Sequence, residues 1–370
     1  MLGSNRKTLV VLLLCLNLFG YSQINKIEIS TLYGHHFATN VIDKTKASLE
    51  GPIQGIEFGF GKNGIGKPSY KSIYGEQKVM LNFRVAALNK IDTFGYAFGI
   101  LPSIHIPLKI TKNQALRAKV SYGINFNTQQ YNKETNFDNR AISSPINFGL
   151  DLGLDWEINL KEKYYFVLSP GVYHISNGSI KMPNGGINLL YLKAGFGLNR
   201  GKPNQEILKH DYNLEKKAWK YWLYGFATHR EYNYFSYLDR FWVFGLNQNI
   251  QYQLNKLYSL GLGMDFHYDA TQSLTDKTKK LYQVKENEKY LVAIGISQRF
   301  SLGKFFLPFG VYTYIAPLTY IKEPLYIRFG LGYNLGPNWF IGSFFKGTIN
   351  AKGQLKSDFM EWSLGYRLRN

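Results

Sequence analysis

Short segments in which apolar and polar side chains alternate recur along the chain after residue 22. Successive side chains on a β-strand point to opposite faces, so each segment predicts a strand with one apolar and one polar face. Clusters of Gly, Asn, Lys and Pro separate the segments and indicate turns. Two of the clearest apolar sets are Leu116, Ala118, Val120, Tyr122, Ile124 and Phe126, and Ile146, Phe148, Leu150, Leu152, Leu154 and Trp156.

Such strands suit either a soluble sandwich with the apolar face inward or a membrane barrel with the apolar face outward. Roughly sixteen segments of membrane-spanning length follow one another without a helical interlude. Tyr and Trp near the segment ends resemble an interfacial girdle, and the charges and glycines of the polar faces suit a crowded lumen. We therefore predict an all-β fold, a single antiparallel transmembrane outer-membrane β-barrel of about 14–16 strands.

The predicted organisation has three parts. Residues 1–22 are interpreted as a signal peptide, because basic Arg6 and Lys7 precede an apolar run and small residues follow it. Residues 23–200 carry the first set of strands with the candidate site, and residues 201–370 add strands of the same barrel. The charged stretch 200–217 interrupts the rhythm, either as a long turn inside one barrel, which we favour, or as a boundary between two units.

Composition and charge exclude several classes of protein. Lys and Arg number 44 against 25 Asp and Glu, a net charge of +19, but these residues are scattered and no groove-reading motif is present. We therefore expect no nucleic-acid partner, and attraction to an anionic membrane surface explains the charge. The single cysteine, Cys15, lies in the predicted signal peptide, so the mature chain is expected to have neither disulfides nor a thiolate metal site.

No cofactor or metal is expected from the motifs. Gly59-x-Gly61-x-x-Gly64 matches the dinucleotide fingerprint by letter, but Pro68 follows closely and no helix is predicted to receive a pyrophosphate. Asp151 and Asp155 share a polar strand face without neighbouring histidines. A hydrogen-bonded network with Lys or Arg in the lumen is the preferred interpretation of this pair.

Polar residues prolong two apolar strand faces where the seventh and eighth predicted strands, near 162–176 and 186–199, are joined. His174 and Ser176 continue the apolar face of one strand, and Asn188 precedes that of the other. Residues two apart on a strand project the same way, with Cα atoms about 6.5–7 Å apart. The His can then act as base for the Ser hydroxyl, with a third group orienting the ring. The alternative is that these are interfacial polar residues that contact headgroups.

The predicted position of this site bears on its substrate. If the N-terminus lies in the periplasm, odd-numbered strands run outward, and the seventh ends at the cell surface. His174 and Ser176 would then lie on the outer wall at the level of the outer leaflet. A nucleophile that faces lipid suggests a substrate that is itself a membrane lipid.

The residues around this couple resemble a known family. His174-Ile175-Ser176-Asn177-Gly178-Ser179, followed by Pro183-Asn184-Gly185-Gly186-Ile187-Asn188, is similar to the signature of the outer-membrane lipid A 3-O-deacylases, or acyloxyacyl hydrolases. The upstream stretch 139–144 with Asn147 resembles the family's approach to that motif. The resemblance covers roughly residues 25–200, and the remainder resembles longer versions of the family.

The resemblance implies a serine esterase that removes the 3-linked acyl chain from lipid A, with lipopolysaccharide and outer-membrane lipids as its partners. By motif position Ser176 would be the nucleophile and His174 the general base, with Asn188 as the third member of the triad. The oxyanion hole would use Ser179 and Asn184, assisted by Asn177. The family typically has Glu at the position of Asn188, and Asn can hold the imidazole tautomer without supplying a negative charge.

Two rival functions remain open at this level. A porin-like barrel with a decayed motif would use lumen cations to select anions, and its candidate residues are Arg117, Lys119, Arg328 and Arg367. A surface adhesin would use long loops such as 269–287. The pattern does not fix the oligomeric state or the preferred acyl length.

Overall fold

The computed structural model describes residues 24–37, 51–63, 77–161, 163–200, 218–234, 237–271, 286–316, 323–350, 353 and 355–368. The predicted signal peptide over 1–22 lies outside these residues, and so does Gly64 of the glycine motif. Gly59 and Gly61 lie inside a strand paired on both sides, which does not fit a dinucleotide loop. Across these ranges, no helix has the length and apolar character needed to cross a membrane.

The first eight strands form one closed antiparallel barrel in which each strand pairs with its neighbour in sequence. Closure comes from β1 and β8, which pair from Lys26 with Asn199 to His36 with Leu189. Next to this seam the Arg200 N–H donates to the Asn25 carbonyl at 2.7 Å. The elements are β1 (Lys26–His36), β2 (Pro52–Asn63), β3 (Lys78–Ala87), a short helix α1 (Ile91–Phe94), β4 (Tyr96–Ile110), β5 (Gln114–Asn127), β6 (Ile146–Asn159), β7 (Tyr164–Ser176) and β8 (Ile187–Asn199).

The other eight strands form a second closed antiparallel barrel. Its first and last strands pair directly, from Trp362 with Ala227 to Leu368 with Tyr221. The elements are β9 (Trp219–Tyr234), β10 (Tyr237–Gln253), β11 (Tyr258–Asp269), a 3-10 helix (Glu286–Lys289), β12 (Tyr290–Leu302), β13 (Phe305–Ala316), β14 (Leu325–Asn334), β15 (Trp339–Ile349) and β16 (Leu355–Leu368).

The prediction of a single barrel is therefore wrong, although the all-β class, the antiparallel pairing and the strand number of about sixteen are confirmed. The chain divides into two compact units, one built on each barrel. The preference for a turn inside one barrel at 200–217 is overturned, because the two edges of the second set pair with each other. Eight strands enclose an interior just wide enough for side chains to fill, so each set can close around its own lumen residues.

The outer walls of both barrels are apolar. Leu190 and Phe196 on β8 are each 60% exposed, and Leu262 on β11 is 70% exposed. The residues that alternate with these along each strand point inward, and Tyr191 and Lys193 on β8 are buried. This reverses the usual arrangement of a soluble protein and matches a barrel whose outer face contacts hydrocarbon.

The first lumen is filled by a network of buried charges. Lys78 Nζ lies 2.7 Å from carboxylate oxygens of both Glu28 and Glu157. Arg84 contacts Glu57 and Asp151, as expected for a lumen network that involves Asp151. Other members are Lys26, His105, Lys119, Asp155 and Lys193. Burial of charge is tolerated here because each carboxylate faces a cation at hydrogen-bond distance.

The second lumen combines a smaller ionic cluster with stacked aromatic rings. Arg328 lies 2.9 Å from Asp265 and 3.1 Å from Glu361, and the Tyr326 hydroxyl donates to Asp265 at 2.6 Å. Away from this cluster a buried apolar group fills the lumen; it consists of Trp222, Tyr224, Phe226, Val243, Phe306, Phe340, Phe344 and Phe359.

The lumen cations do not suit the porin-like alternative. Arg117, Lys119 and Arg328 are each only 2% exposed, so within the described residues they line no open aqueous path. Arg328 and Lys119 are held by carboxylates instead of presenting their charge to a passing ion. The loop 269–287 of the adhesin alternative lies largely outside the described residues.

Replacement of Arg84 by Ala is expected to destabilise the first barrel, because it leaves Glu57 and Asp151 buried without one of their cations. Breaking a buried pair in this way typically costs about 3–5 kcal/mol. Urea unfolding in detergent micelles, followed by heat-modifiable mobility on gels, measures the change. Lys112→Ala, at an exposed position, is the control. Equal midpoints for the two variants would contradict the role given to the lumen network.

Candidate active site

His174 and Ser176 lie at the C-terminal end of β7, and Asn188 is the second residue of β8. Val172, two residues before His174 on β7, is 38% exposed, and Leu190, two residues after Asn188 on β8, is 60% exposed. Both face outward. Strand alternation therefore places His174 and Asn188 on the outer wall, the side expected from the sequence. Ser176 follows on the same face and is buried.

A short hydrogen bond joins His174 to Asn188. The two residues are direct partners in the register of β7 and β8, and His174 Nδ1 lies 2.6 Å from Asn188 Oδ1. An amide oxygen can only accept, so Nδ1 carries the proton in this arrangement. The neutral ring then has its lone pair on Nε2, which is the form required of a general base.

The backbone reverses sharply just after Ser176. Gly178 and Ser179 both have φ of 64°, in the left-handed region. Glycine adopts this conformation readily, whereas a serine there is strained, and such strain is commonly found at functional sites. Ser179 is one of two described residues other than glycine with a positive φ, and the second is Lys90.

The turn that follows Ser176 is held by side chains of Asn177 and Ser143. Asn177 Nδ2 donates to the Ser143 hydroxyl at 3.0 Å and to the Lys181 carbonyl at 2.8 Å. The Asn177 N–H donates to Asn184 Oδ1 at 3.1 Å. Both donor groups of Asn177, its N–H and its Nδ2, are thus engaged, and they fix the backbone between Ser176 and Asn184.

The stretch 139–144, which resembles the family's approach to the motif, braces the same loop. The N–H groups of Gly185 and Gly186 donate to the carbonyls of Arg140 and Ala141, each at 3.0 Å. Asn139 in turn accepts a hydrogen bond from the Ile142 N–H through its side chain. These contacts explain why this stretch accompanies the motif in sequence.

Asn184 has a side-chain donor with no partner. Its Oδ1 accepts from Asn177, but its Nδ2 is buried and makes no hydrogen bond within the described part of the chain. Buried amide donors are normally satisfied, so an unmatched one beside a candidate nucleophile marks a place for an incoming acceptor.

Two features of the surroundings were not foreseen from the sequence. Phe37 lies beside the site because its N–H donates to the Asn188 carbonyl at 2.9 Å, and its ring is 38% exposed. This follows from the pairing of β1 with β8, which a sixteen-stranded barrel would not provide. The contact of Ser143 with the loop after Ser176 was also not foreseen, because no periodic pattern relates a loop residue to a strand end. The sequence pointed to Ser143 only as part of the stretch 139–144 that resembles the family.

A second serine–histidine–acid arrangement lies inside the first lumen. Ser103 Oγ is 2.8 Å from His105 Nε2, and His105 Nδ1 is 2.7 Å from Asp155 Oδ2. None of the three side chains belongs to a residue more than 4% exposed. A lipid ester cannot reach this hydroxyl through a filled lumen, so the geometry alone does not make it an active site.

Comparison with known families gives two matches. The family model described as lipid A 3-O-deacylase (PagL) matches residues 55–197, and that described as acyloxyacyl hydrolase, C-terminal domain, matches residues 219–370. Together, these two models of the lipid A 3-O-deacylase family match most of the chain. The recognition from sequence is thus confirmed, and lipid A deacylation at the outer membrane is the function of this family. The first match contains the deacylase motif, and the second begins at the first residue of β9.

Solved structures give distant likenesses. The crystal structure of the outer membrane enzyme PagL has 13% sequence identity and a TM-score of 0.34, and covers 45% of this chain and 97% of its own. CdiB from Acinetobacter baumannii has 9% identity and a TM-score of 0.20, with 93% and 60% covered. TM-scores this low support no argument about the arrangement of the strands. No match was found among curated proteins.

The hydrogen bond to Asn188 predicts the tautomer of His174. Nitrogen-15 NMR of the protein in micelles is expected to show a protonated Nδ1 and an unprotonated Nε2 for this ring, assigned by comparison with His174→Gln. Asn188→Leu removes the acceptor, so the ring is expected to shift toward the Nε2–H form. An identical His174 spectrum in wild type and Asn188→Leu would show that Asn188 does not fix the ring.

Proposed function

We propose that the protein is a serine esterase that cleaves the 3-linked acyl ester of lipid A, with Ser176 as nucleophile and His174 as general base. The observation that carries this proposal is the hydrogen bond from His174 Nδ1 to Asn188 on the outer wall, two residues before Ser176. It prepares Nε2 to accept a proton from a hydroxyl on the same strand face.

In the first half of the reaction Ser176 Oγ attacks the carbonyl carbon of the ester while His174 Nε2 takes the hydroxyl proton. The carbonyl oxygen becomes an oxyanion in the tetrahedral intermediate. Collapse of this intermediate breaks the bond to the sugar oxygen, which receives the proton from the imidazolium and leaves as an alcohol. The acyl chain remains as an ester on Ser176.

In the second half a water molecule attacks the acyl-enzyme, and His174 Nε2 takes its proton. The second tetrahedral intermediate expels Ser176 Oγ, which recovers its proton from the ring, and a free fatty acid is released. The site is expected to use no metal or cofactor, because the ring supplies every proton transfer in this scheme.

The oxyanion is stabilised by donors of the loop after Ser176. Asn184 supports this role because its Nδ2 has no other acceptor among the described residues. The Ser179 N–H is the second donor, placed by the left-handed backbone at that residue. Asn177 acts instead through Asn184 and Ser143, whose positions it fixes. Each such donor typically contributes about 10²–10³-fold to the rate.

The substrate class follows from the surface that carries the site. Val172, Leu190 and Phe37 present exposed apolar side chains around His174 and Asn188. Acyl chains of a lipid embedded in the same leaflet can lie along these residues without leaving hydrocarbon. A lipid with ester-linked chains therefore reaches Ser176 by lateral diffusion, and the family match identifies that lipid as lipid A.

Replacement of Ser176 or His174 by Ala is expected to reduce acyl release at least about 10³-fold and to leave the barrels folded. Mass spectrometry of lipid A and of free fatty acid, with purified protein in lipopolysaccharide-containing micelles, measures the loss. Ser103→Ala is the matched control, because Ser103 also lies two residues from a histidine that contacts an acceptor, but in the filled lumen. Full activity of Ser176→Ala would refute the assignment, and loss only in Ser103→Ala would move it to the lumen.

Asn188→Asp is expected to raise kcat at neutral pH by at least about tenfold, because a carboxylate at this position stabilises the imidazolium formed during attack. Asn188→Leu is expected to lower kcat, since the ring loses the acceptor that orients it. Initial rates of fatty-acid release compare the two variants with wild type. If wild type and Asn188→Leu had the same kcat, Asn188 would have no part in the relay.

A further inference from the structure

Arg299 is a buried cation of the second barrel that faces aromatic rings. It lies on the inward face of β12 and is 5% exposed. Its guanidinium carbon is 3.3 Å from the ring centre of Trp222 and 3.5 Å from that of Phe306. Stacking on ring faces stabilises a cation, but it supplies no formal negative charge.

No carboxylate neutralises Arg299 in the described part of the chain. The buried carboxylates of this barrel are paired with other cations: Asp265 and Glu361 with Arg328, Asp269 with Arg230, and Glu231 with Arg240. Another cation lies nearby instead, because the guanidinium carbons of Arg299 and Arg367 are 3.3 Å and 5.3 Å from the ring centre of Trp222. Burial of an unpaired charge carries a large free-energy penalty, so a counterion is required there.

A small cavity lies beside the guanidinium and holds further unmatched donors. It has a volume of about 30 Å³, and its lining includes Trp222, Gln251, Ser297 and Arg299. Arg299 Nη1 and Trp222 Nε1 are both buried without a hydrogen-bond acceptor. Two donors of different side chains, one of them charged, thus border the same empty volume.

The amide of Gln251 can add a third donor. Its Nε2 lies 2.7 Å from Ser297 Oγ, while its Oε1 has no partner. Rotation of the amide by a half turn lets Oε1 accept from the Ser297 hydroxyl and releases Nε2–H₂ from that contact. Oxygen and nitrogen of an amide are interchanged in this way when the surrounding hydrogen bonds favour it.

We propose that this cavity in the second barrel binds a small monatomic anion, of the size of chloride, between Arg299 and Trp222. The anion accepts hydrogen bonds from Arg299 Nη1 and Trp222 Nε1 and neutralises the charge that the lumen carboxylates leave unpaired. A cavity of about 30 Å³ exceeds the space of roughly 10–15 Å³ that one water needs.

The charge of the site distinguishes an anion from water. A water molecule can accept both hydrogen bonds but carries no charge, so it leaves the guanidinium without a counterion. An anion accepts the same hydrogen bonds and also supplies the countercharge, and Arg367, at 5.3 Å from the Trp222 ring centre, adds to the positive potential. The site therefore belongs to the stability of the second barrel and is independent of the chemistry proposed for Ser176.

The first test is a bromide soak of crystals of the full chain. Bromide replaces chloride and scatters anomalously, and the expected result is an anomalous peak in the cavity within hydrogen-bond distance of Arg299 Nη1 and Trp222 Nε1. A cavity that contains only water, without an anomalous peak, would overturn the proposal. This readout does not depend on whether any variant folds.

The second test is thermal unfolding in micelles with sodium chloride or with sodium gluconate at equal ionic strength. Gluconate is too large for the cavity, so wild type is expected to have a Tm at least about 3 °C higher in chloride. Arg299→Gln is expected to lose this difference, and Arg240→Gln to retain it because Arg240 is exposed and paired with Glu231. A chloride effect of the same size in Arg299→Gln would show that the anion acts elsewhere.

Discussion

The pairing of the first strand with the eighth, and of the ninth with the sixteenth, is the constraint on which the other features of this protein depend. Backbone groups at an open sheet edge would be unsatisfied in hydrocarbon, so each set of strands must return to its own beginning. A ring of eight strands leaves an interior that side chains fill. That interior receives Arg84, Lys78 and their carboxylates in one barrel and Arg328 with the aromatic group in the other. The outer walls are left with apolar residues.

Closure also determines what surrounds the candidate site. His174 lies next to Asn188 because β7 and β8 form a hairpin, a local consequence of antiparallel pairing. Phe37 lies next to Asn188 because β8 pairs on its other side with β1, which is distant in sequence. One side of the site is thus made by neighbours in sequence, and the other is made by closure of the barrel.

The sequence predicted the local features well and the long-range ones poorly. The period of two along a strand places Tyr173 inside and His174 outside, whichever strands are its neighbours. The strand limits and the face that carries the site could therefore be predicted from the sequence. The pairing partner of β1 could not be predicted, because the alternating pattern of β1 fits β8 and β16 equally well until the residues that fill the lumen are known. Two interpretations of the charged stretch 200–217 were open, a turn inside one barrel and a boundary between two units. The turn was preferred, and this preference was wrong. Contacts of Ser143 and Arg140 with the motif loop arise from irregular backbone, for which periodicity gives no prediction.

The two serine–histidine pairs show that hydrogen-bond geometry alone does not define an active site. Ser103 and His105 form a continuous hydrogen-bonded chain that ends on a true carboxylate, Asp155. They lie, however, where the same carboxylate also serves Lys78 and where no substrate can enter. Ser176 has a neutral orienting group instead, but its strand end belongs to the outer wall, where the neighbouring Val172 and Leu190 are exposed. Access, more than the strength of the relay, separates the structural group from the proposed catalytic one.

The seam between β1 and β8 has a consequence for how such a protein can be built. Asn25 and Arg200 are in direct backbone contact, so the chain enters and leaves the first barrel at neighbouring positions. A closed ring whose ends coincide can be fused to another module, or permuted to begin at a different hairpin, without a break in any strand pair. A complete further barrel can therefore be joined to an eight-stranded one by a linker alone, with every strand pair of the first barrel retained.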